Sequence, residues 1–255
     1  MNRRPPHEPT RSFAPAHRLQ DDATRNARWL GCRGCPDFKH CGGMHTEAHI
    51  FDCSDLCSCA DRSKCDMMCR NNPALFFERL MEVNGYDLDT IPRVPPLPAP
   101  NLPEIIPLIS DKFTRNKILR EPAVAVPLYE LFHMGSGEPH IRTREELSER
   151  FQIPARAVLV ASGVNRDLKV EAWWAIAERS RILESLRSLD LALVTTPNFS
   201  LFTNVPRPDN LHGMKRIGLS WAELTAGGVP AALHLNARTD HDYARWTASS
   251  LSVRK

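Results

Sequence analysis

The sequence predicts an α/β fold: an open or partial-barrel parallel sheet of about five strands, preceded by a small cysteine-rich metal-binding module. Three observations carry this expectation. All eight cysteines fall between Cys32 and Cys69. Prolines at 92, 95, 96, 98, 100 and 103 then mark a boundary. Beyond them, short apolar runs alternate with helical stretches, as strands buried on both faces and joined by crossover helices do.

The composition bounds the rest. A chain of 255 residues with 42% hydrophobic residues has enough apolar side chain for a real core. The formal net charge of +3 tolerates a nucleic-acid partner without arguing for one. No apolar run approaches the roughly 18 residues that would span a bilayer, so no membrane partner is expected. Residues 1–28 lack the apolar segment of a secretory signal. The expected compartment is therefore the cytoplasm, where disulfides are rare.

In chain order, residues 1–28 read as a disordered basic arm. Arg3, Arg4, Arg11, Arg18, Arg25 and Arg28 could contact nucleic-acid phosphates from it. Residues 29–90 hold the cysteine module and a helix. Asn72 suits that helix as a cap, Pro73 as its first residue and Gly85 as its stop. Residues 91–104 form an extended proline-rich linker.

Residues 105–255 form the α/β domain. Its strand candidates are Ile105–Ile109, Ala123–Leu128, Ala157–Ala161, Leu191–Thr195 and Ala231–Leu235. Thr143 and Glu146 make a capping box for a helix through Phe151. Further helices are expected over Glu171–Ser188, Asn210–Ala226 with a stop at Gly227-Gly228, and Asp240–Ser250. The glycine-bearing stretch 133–139 lacks a nucleotide-binding spacing and reads as a loop.

The cysteines Cys32, Cys35, Cys41, Cys53, Cys57, Cys59, Cys65 and Cys69 are too crowded to be scattered core residues. Thiolate is a soft ligand that suits zinc and iron–sulfur clusters, and eight thiolates match two four-cysteine sites, such as [4Fe–4S] centres. Zinc commonly uses C-x2-C knuckles and accepts histidine. The C-x-C at Cys57–Cys59 and Pro36 directly after Cys35 favour iron–sulfur.

The run Cys32, Cys35, Cys41, Gly42-Gly43 resembles the cluster-binding segment of SPASM-type auxiliary domains in radical-SAM maturation enzymes. The fourth cysteine of that pattern is His45 here, so the fourth ligand is His45 or a cysteine further along. The radical-SAM triad is absent: Cys65-x3-Cys69 is followed by Asn72 where the third cysteine would stand. No cleavage of S-adenosylmethionine is expected.

Ligands of parallel α/β sheets bind beyond the carboxyl ends of the strands. Three such ends are polar here: Ser162–Asp167, Thr196–Ser200, and His234 through Asp240. They nominate Asn165, Asn198, Asn236 and Arg238 as ligand-binding residues, with Asp167 or Asp240 as a general base. Helix capping is the plain alternative for Asp167 and Asp240, and a satisfied core position for His234. Residues 195–239 also resemble an uncharacterised bacterial and phage family known only as a domain of unknown function. Pro197, Asn198, Phe199, Ser200, Leu201, Pro206, Asn210, Arg216, Gly228 and Pro230 match its pattern. The acidic residue common after the first proline is Asn198 here. The resemblance implies a phage or mobile-element setting and supplies no reaction.

Overall fold

The computed structural model describes residues 73–111, 119–202, 207–238 and 240–249. The arm, the eight cysteines, His45 and the expected cap Asn72 lie outside the described residues. Among the described residues there are six α-helices and four strands. They run α1 (Pro73–Glu82), β1 (Ala123–Pro127), α2 (Arg144–Arg150), β2 (Val158–Ser162), α3 (Asp167–Trp174), α4 (Ser180–Ser188), β3 (Leu193–Thr195), α5 (Arg207–Ala226), β4 (Ala231–Ala232) and α6 (Asp240–Ala248). The chain divides inside α1, and the larger unit is Phe77–Phe202 with Pro208–Lys255.

All strand pairs are parallel, and the strands lie in chain order, β1-β2-β3-β4. This singly wound order is that of a barrel segment rather than a doubly wound sheet. The β1–β2 ladder is the longest, from Ala123↔Val158 to Pro127↔Ser162. Every residue of β1 is buried, as its unbroken apolar sequence requires.

The first of the five expected strands, Ile105–Ile109, is reduced to one parallel bridge between Leu108 and Ala125. Ile109 N donates to Ala125 O and Ala125 N donates to Pro107 O, both at 2.9 Å. Pro107 has no N–H with which to continue the ladder. Ile105 and Leu108 are accordingly 82% and 56% exposed, unlike core strand residues.

The single helix expected over Glu171–Ser188 is two helices. Arg179 breaks it by donating from Nη1 to the carbonyls of Trp174 and Ile176, which are left over at the end of α3. Glu178 Oε1 then accepts from Ser180 N at the start of α4. The capping box before α2 forms, with Glu146 N donating to Thr143 Oγ1 at 3.1 Å. The Glu146 carboxylate reaches one residue further back, to Arg142 N at 2.7 Å. At the end of α5, Gly228 adopts φ +76°, and Val229 N closes on Leu224 O.

Gly163 fixes how closely the ends of β2 and β3 approach. A Cβ there would sit 2.4 Å from both Thr195 O and Thr196 O. Both neighbours are backbone and cannot swing aside. The approach is closed by Gly163 N donating to Thr195 Oγ1, and by Tyr129 Oη and Asn198 N donating to Gly163 O. Gly163→Ala should therefore destabilise the unit by about 3 kcal/mol or more, at the upper end of overpacking costs. Urea denaturation should show this as a lower midpoint at unchanged slope.

Candidate functional site

The segment Asn198–Leu201, directly beyond β3, is the hub of the carboxyl ends of the sheet. On one side it grips the loop after β2. Asn198 Oδ1 accepts from Asn165 N at 3.1 Å, and Ser200 Oγ donates to Asp167 Oδ1 at 2.5 Å. On the other side it is gripped by the chain after β4. Asn236 Nδ2 donates to Phe199 O at 3.0 Å, and Arg238 Nε donates to Leu201 O at 2.5 Å. The side chains of Asn198 and Ser200 thus serve the β2 loop, and the backbone carbonyls of Phe199 and Leu201 serve the chain after β4.

Five of the six residues nominated from sequence thus meet on four consecutive residues. The sixth, Asp240, is the first residue of α6, and its side chain lies outside the described residues. The buried carboxylate of that helix is Asp242, whose Oδ2 accepts from Arg238 N at 2.9 Å. His234 lies two residues beyond Ala232, the end of β4, and its backbone N donates to Thr196 Oγ1 at 2.8 Å. Its ring is half-buried, makes no hydrogen bond among the described residues, and is held below its usual pKa by burial.

Behind the hub lies α5, buried along nearly its whole length. Phe199 and Leu201 are fully buried beneath it, and Asn210 clasps both Phe202 N (2.9 Å) and Phe202 O (2.8 Å). Arg216 stacks on the Phe199 ring, 4.0 Å from its centroid. Its guanidinium forks onto Glu171 at 2.6 and 3.2 Å. Lys215 is wholly buried, and its ammonium donates to Asp87 O and to Thr90 Oγ1. Burial brings its pKa down to about 8.

His212 completes this buried polar face. Its Nε2 lies 2.8 Å from Glu82 Oε2, and Trp174 Nε1 and Arg79 Nη1 donate to the same carboxylate at 2.6 and 3.0 Å. Burial alone would raise Glu82, but hydrogen bonds from His212, Trp174 and Arg79 outweigh it and hold its carboxyl at about 2. Burial keeps His212 below its usual 6.5 despite the Glu82 hydrogen bond. The neutral ring therefore carries its proton on Nε2 and donates. None of these residues was nominated from sequence as a site residue. The available signal was a helix whose polar residues 210, 212, 215 and 216 fall all round its circumference, which no single wet face accommodates.

A cavity of about 410 Å³ is lined by Leu119, Arg120, Glu121, Pro122, Pro154 and Arg156. These residues precede β1 and β2, so it opens at the amino ends of the strands, away from the hub. Among the described residues, no group of three His, Cys, Asp or Glu is placed to hold a metal ion.

The Glu82–His212 pair makes the unit sensitive to acid. A depressed carboxyl stabilises the fold fully above its ordinary 4.5 and loses that contribution as the pH falls toward 2. A depressed histidine acts in the same direction, because below 6.5 the unfolded chain takes up the proton more readily. Stability should fall as the pH drops below 6.5. Glu82→Gln should cost about 1–3 kcal/mol at pH 7 and remove most of the dependence below pH 4.5, judged by urea unfolding followed through tryptophan fluorescence. An unchanged acid limb in Glu82→Gln would refute the assignment.

No family model, curated protein or solved structure matches the chain, so the family resemblance of residues 195–239 rests on the matching positions alone.

Proposed function

We propose that this chain is a metal-cluster protein, with iron–sulfur held by Cys32, Cys35, Cys41, Cys53, Cys57, Cys59, Cys65 and Cys69. Its α/β unit presents a ligand site at the carboxyl ends of the strands. The observation that carries this reading is the confinement of every cysteine to one short segment. Soft thiolates in such number select metal, and the absence of a fourth cysteine after Gly42-Gly43 leaves His45 or a later thiolate to complete the first set. The rim at Asn165, Asp167, Asn198, Asn236 and Arg238 supports ligand binding. The resemblance of residues 195–239 supports a phage or mobile-element setting.

Elemental analysis and a visible spectrum of anaerobically purified protein test the metal. Iron with broad absorbance near 400 nm, the charge-transfer region of such clusters, is the expected result. Less than one zinc or two irons per chain, as an order-of-magnitude threshold, would remove the metal altogether. Cys35→Ala should lose metal or soluble yield, whereas Met44→Ala should lose neither.

A second reading is a zinc-binding adaptor without catalysis, which binds nucleic acid or a protein partner. It is favoured by the hub itself, where Asn198, Asn236, Ser200 and Asp167 hold loops together and none stands as a free general base. A colourless protein containing zinc supports it. On this reading, deleting residues 1–28 should flatten the salt dependence of nucleic-acid binding, because the arm's arginines supply the phosphate contacts. A salt slope unchanged by the deletion would exclude the arm.

A further inference from the structure

We infer that the strand-end rim takes the oxyanionic group of a small ligand, phosphoryl or carboxylate, in the end-on fork of Arg238. This rests on reading the rim as a ligand site and is independent of the metal content of the cysteines.

Arg238 differs from the other hydrogen-bonded arginines of the unit. Arg79, Arg150, Arg179, Arg181 and Arg216 are paired with carboxylates. Arg144, Arg187 and Arg245 spend an Nη atom on backbone carbonyls. Arg238 is anchored through Nε alone, on Leu201 O at 2.5 Å. Its own backbone N is tied to the buried Asp242 at 2.9 Å. The guanidinium is therefore oriented from both ends, yet Nη1 and Nη2 are unengaged among the described residues, and the residue is exposed.

Two parallel N–H vectors with no carboxylate of their own are what a phosphate or carboxylate meets in a bidentate pair. Orientation in advance removes the rotamer entropy that a loose arginine loses on binding. On the β2 side of the segment, the Oδ1 atoms of Asn165 and Asn198 accept from backbone N–H groups, and their Nδ2 donors are unengaged among the described residues. Of the carboxylates at this end of the sheet, Asp167 is engaged by Ser200 on the β2 side of the segment, and the buried Asp242 accepts from the backbone N–H of Arg238 on the β4 side.

The test is the thermal midpoint of the full chain in inorganic phosphate, in acetate, and in sodium chloride at matched ionic strength. Wild type should show a saturable rise in phosphate or acetate over chloride, and the stronger of the two identifies the group. Arg93→Ala, a control in the exposed linker, should respond like wild type. Arg238→Gln keeps a donor for Leu201 O but loses the charge and the fork, and its apparent affinity should fall about tenfold or more. Should Arg238→Gln fold poorly in chloride, Arg238→Lys retains the charge without the fork and should show the same loss. A response that survives both variants but disappears in Asn198→Ala overturns the Arg238 fork while leaving the rim as a binding site. No rise over chloride with either anion overturns the proposal.

Discussion

Everything in the unit leans on α5, a helix that is buried nearly all round and that carries the basic residues His212, Lys215 and Arg216 into the interior. A histidine, a lysine and an arginine removed from water need acceptors, or the helix cannot stay inside. Each has one of its own. Glu82 takes His212, the turn Asp87–Thr90 takes Lys215, and Glu171 takes Arg216. The outer layer of the unit is thus specified by charge as well as by apolar contact. The net gain from such pairs is modest, because desolvation offsets much of the attraction, but losing one partner strands a buried polar group. That asymmetry makes the pairs a selector of arrangement more than a source of stability.

The same helix organises the carboxyl ends of the sheet. By clasping Phe202 and covering Phe199 and Leu201, α5 holds the hub segment straight. Only then can its alternate groups reach the β2 loop on one side and the β4 loop on the other. A rim built in this way is rigid, since side chains that would point to solvent in a looser loop are committed to neighbouring backbone. Rigidity suits recognition. It also explains why Arg238 is aimed while remaining exposed.

Much of this was legible in the sequence, for identifiable reasons. Strands β1 to β4 fall inside the apolar runs of the sequence; β1 is buried throughout and β2 at its centre, whereas β4 is only half-buried and just two residues long. The convergence of Asn165, Asp167, Asn198, Asn236 and Arg238 followed from strand polarity alone, since parallel strands put their carboxyl ends on one side. The failures are equally physical. Ile105–Ile109 is apolar enough for a strand, but Pro107 ends its ladder after one bridge. The apolar period from Trp173 to Leu186 continues straight across the break at Arg179, because what ends α3 is a side chain capturing its last carbonyls. His234 suggested a satisfied core residue, yet its ring is only half-buried and makes no hydrogen bond among the described residues. The partner of His212 was beyond reach altogether: Glu82 lies 130 residues away, and no local pattern encodes so distant a pairing.

The chain-order arrangement of the strands has a consequence for how the unit assembles. Each strand pairs with its successor in the sequence, so every ladder closes a loop of similar and moderate length. Loop-closure cost grows only logarithmically, and no step in the sheet has to wait for a remote one. The β1–β2 ladder, with five registered pairs against two in each of the others, is the natural nucleus, and β3 and β4 can be added in turn. The contact between α1 and α5 stands outside this economy of local steps. Joining residues so far apart in the chain, it carries a larger closure cost than any ladder of the sheet, and so acts as a clasp across a sheet built from shorter loops.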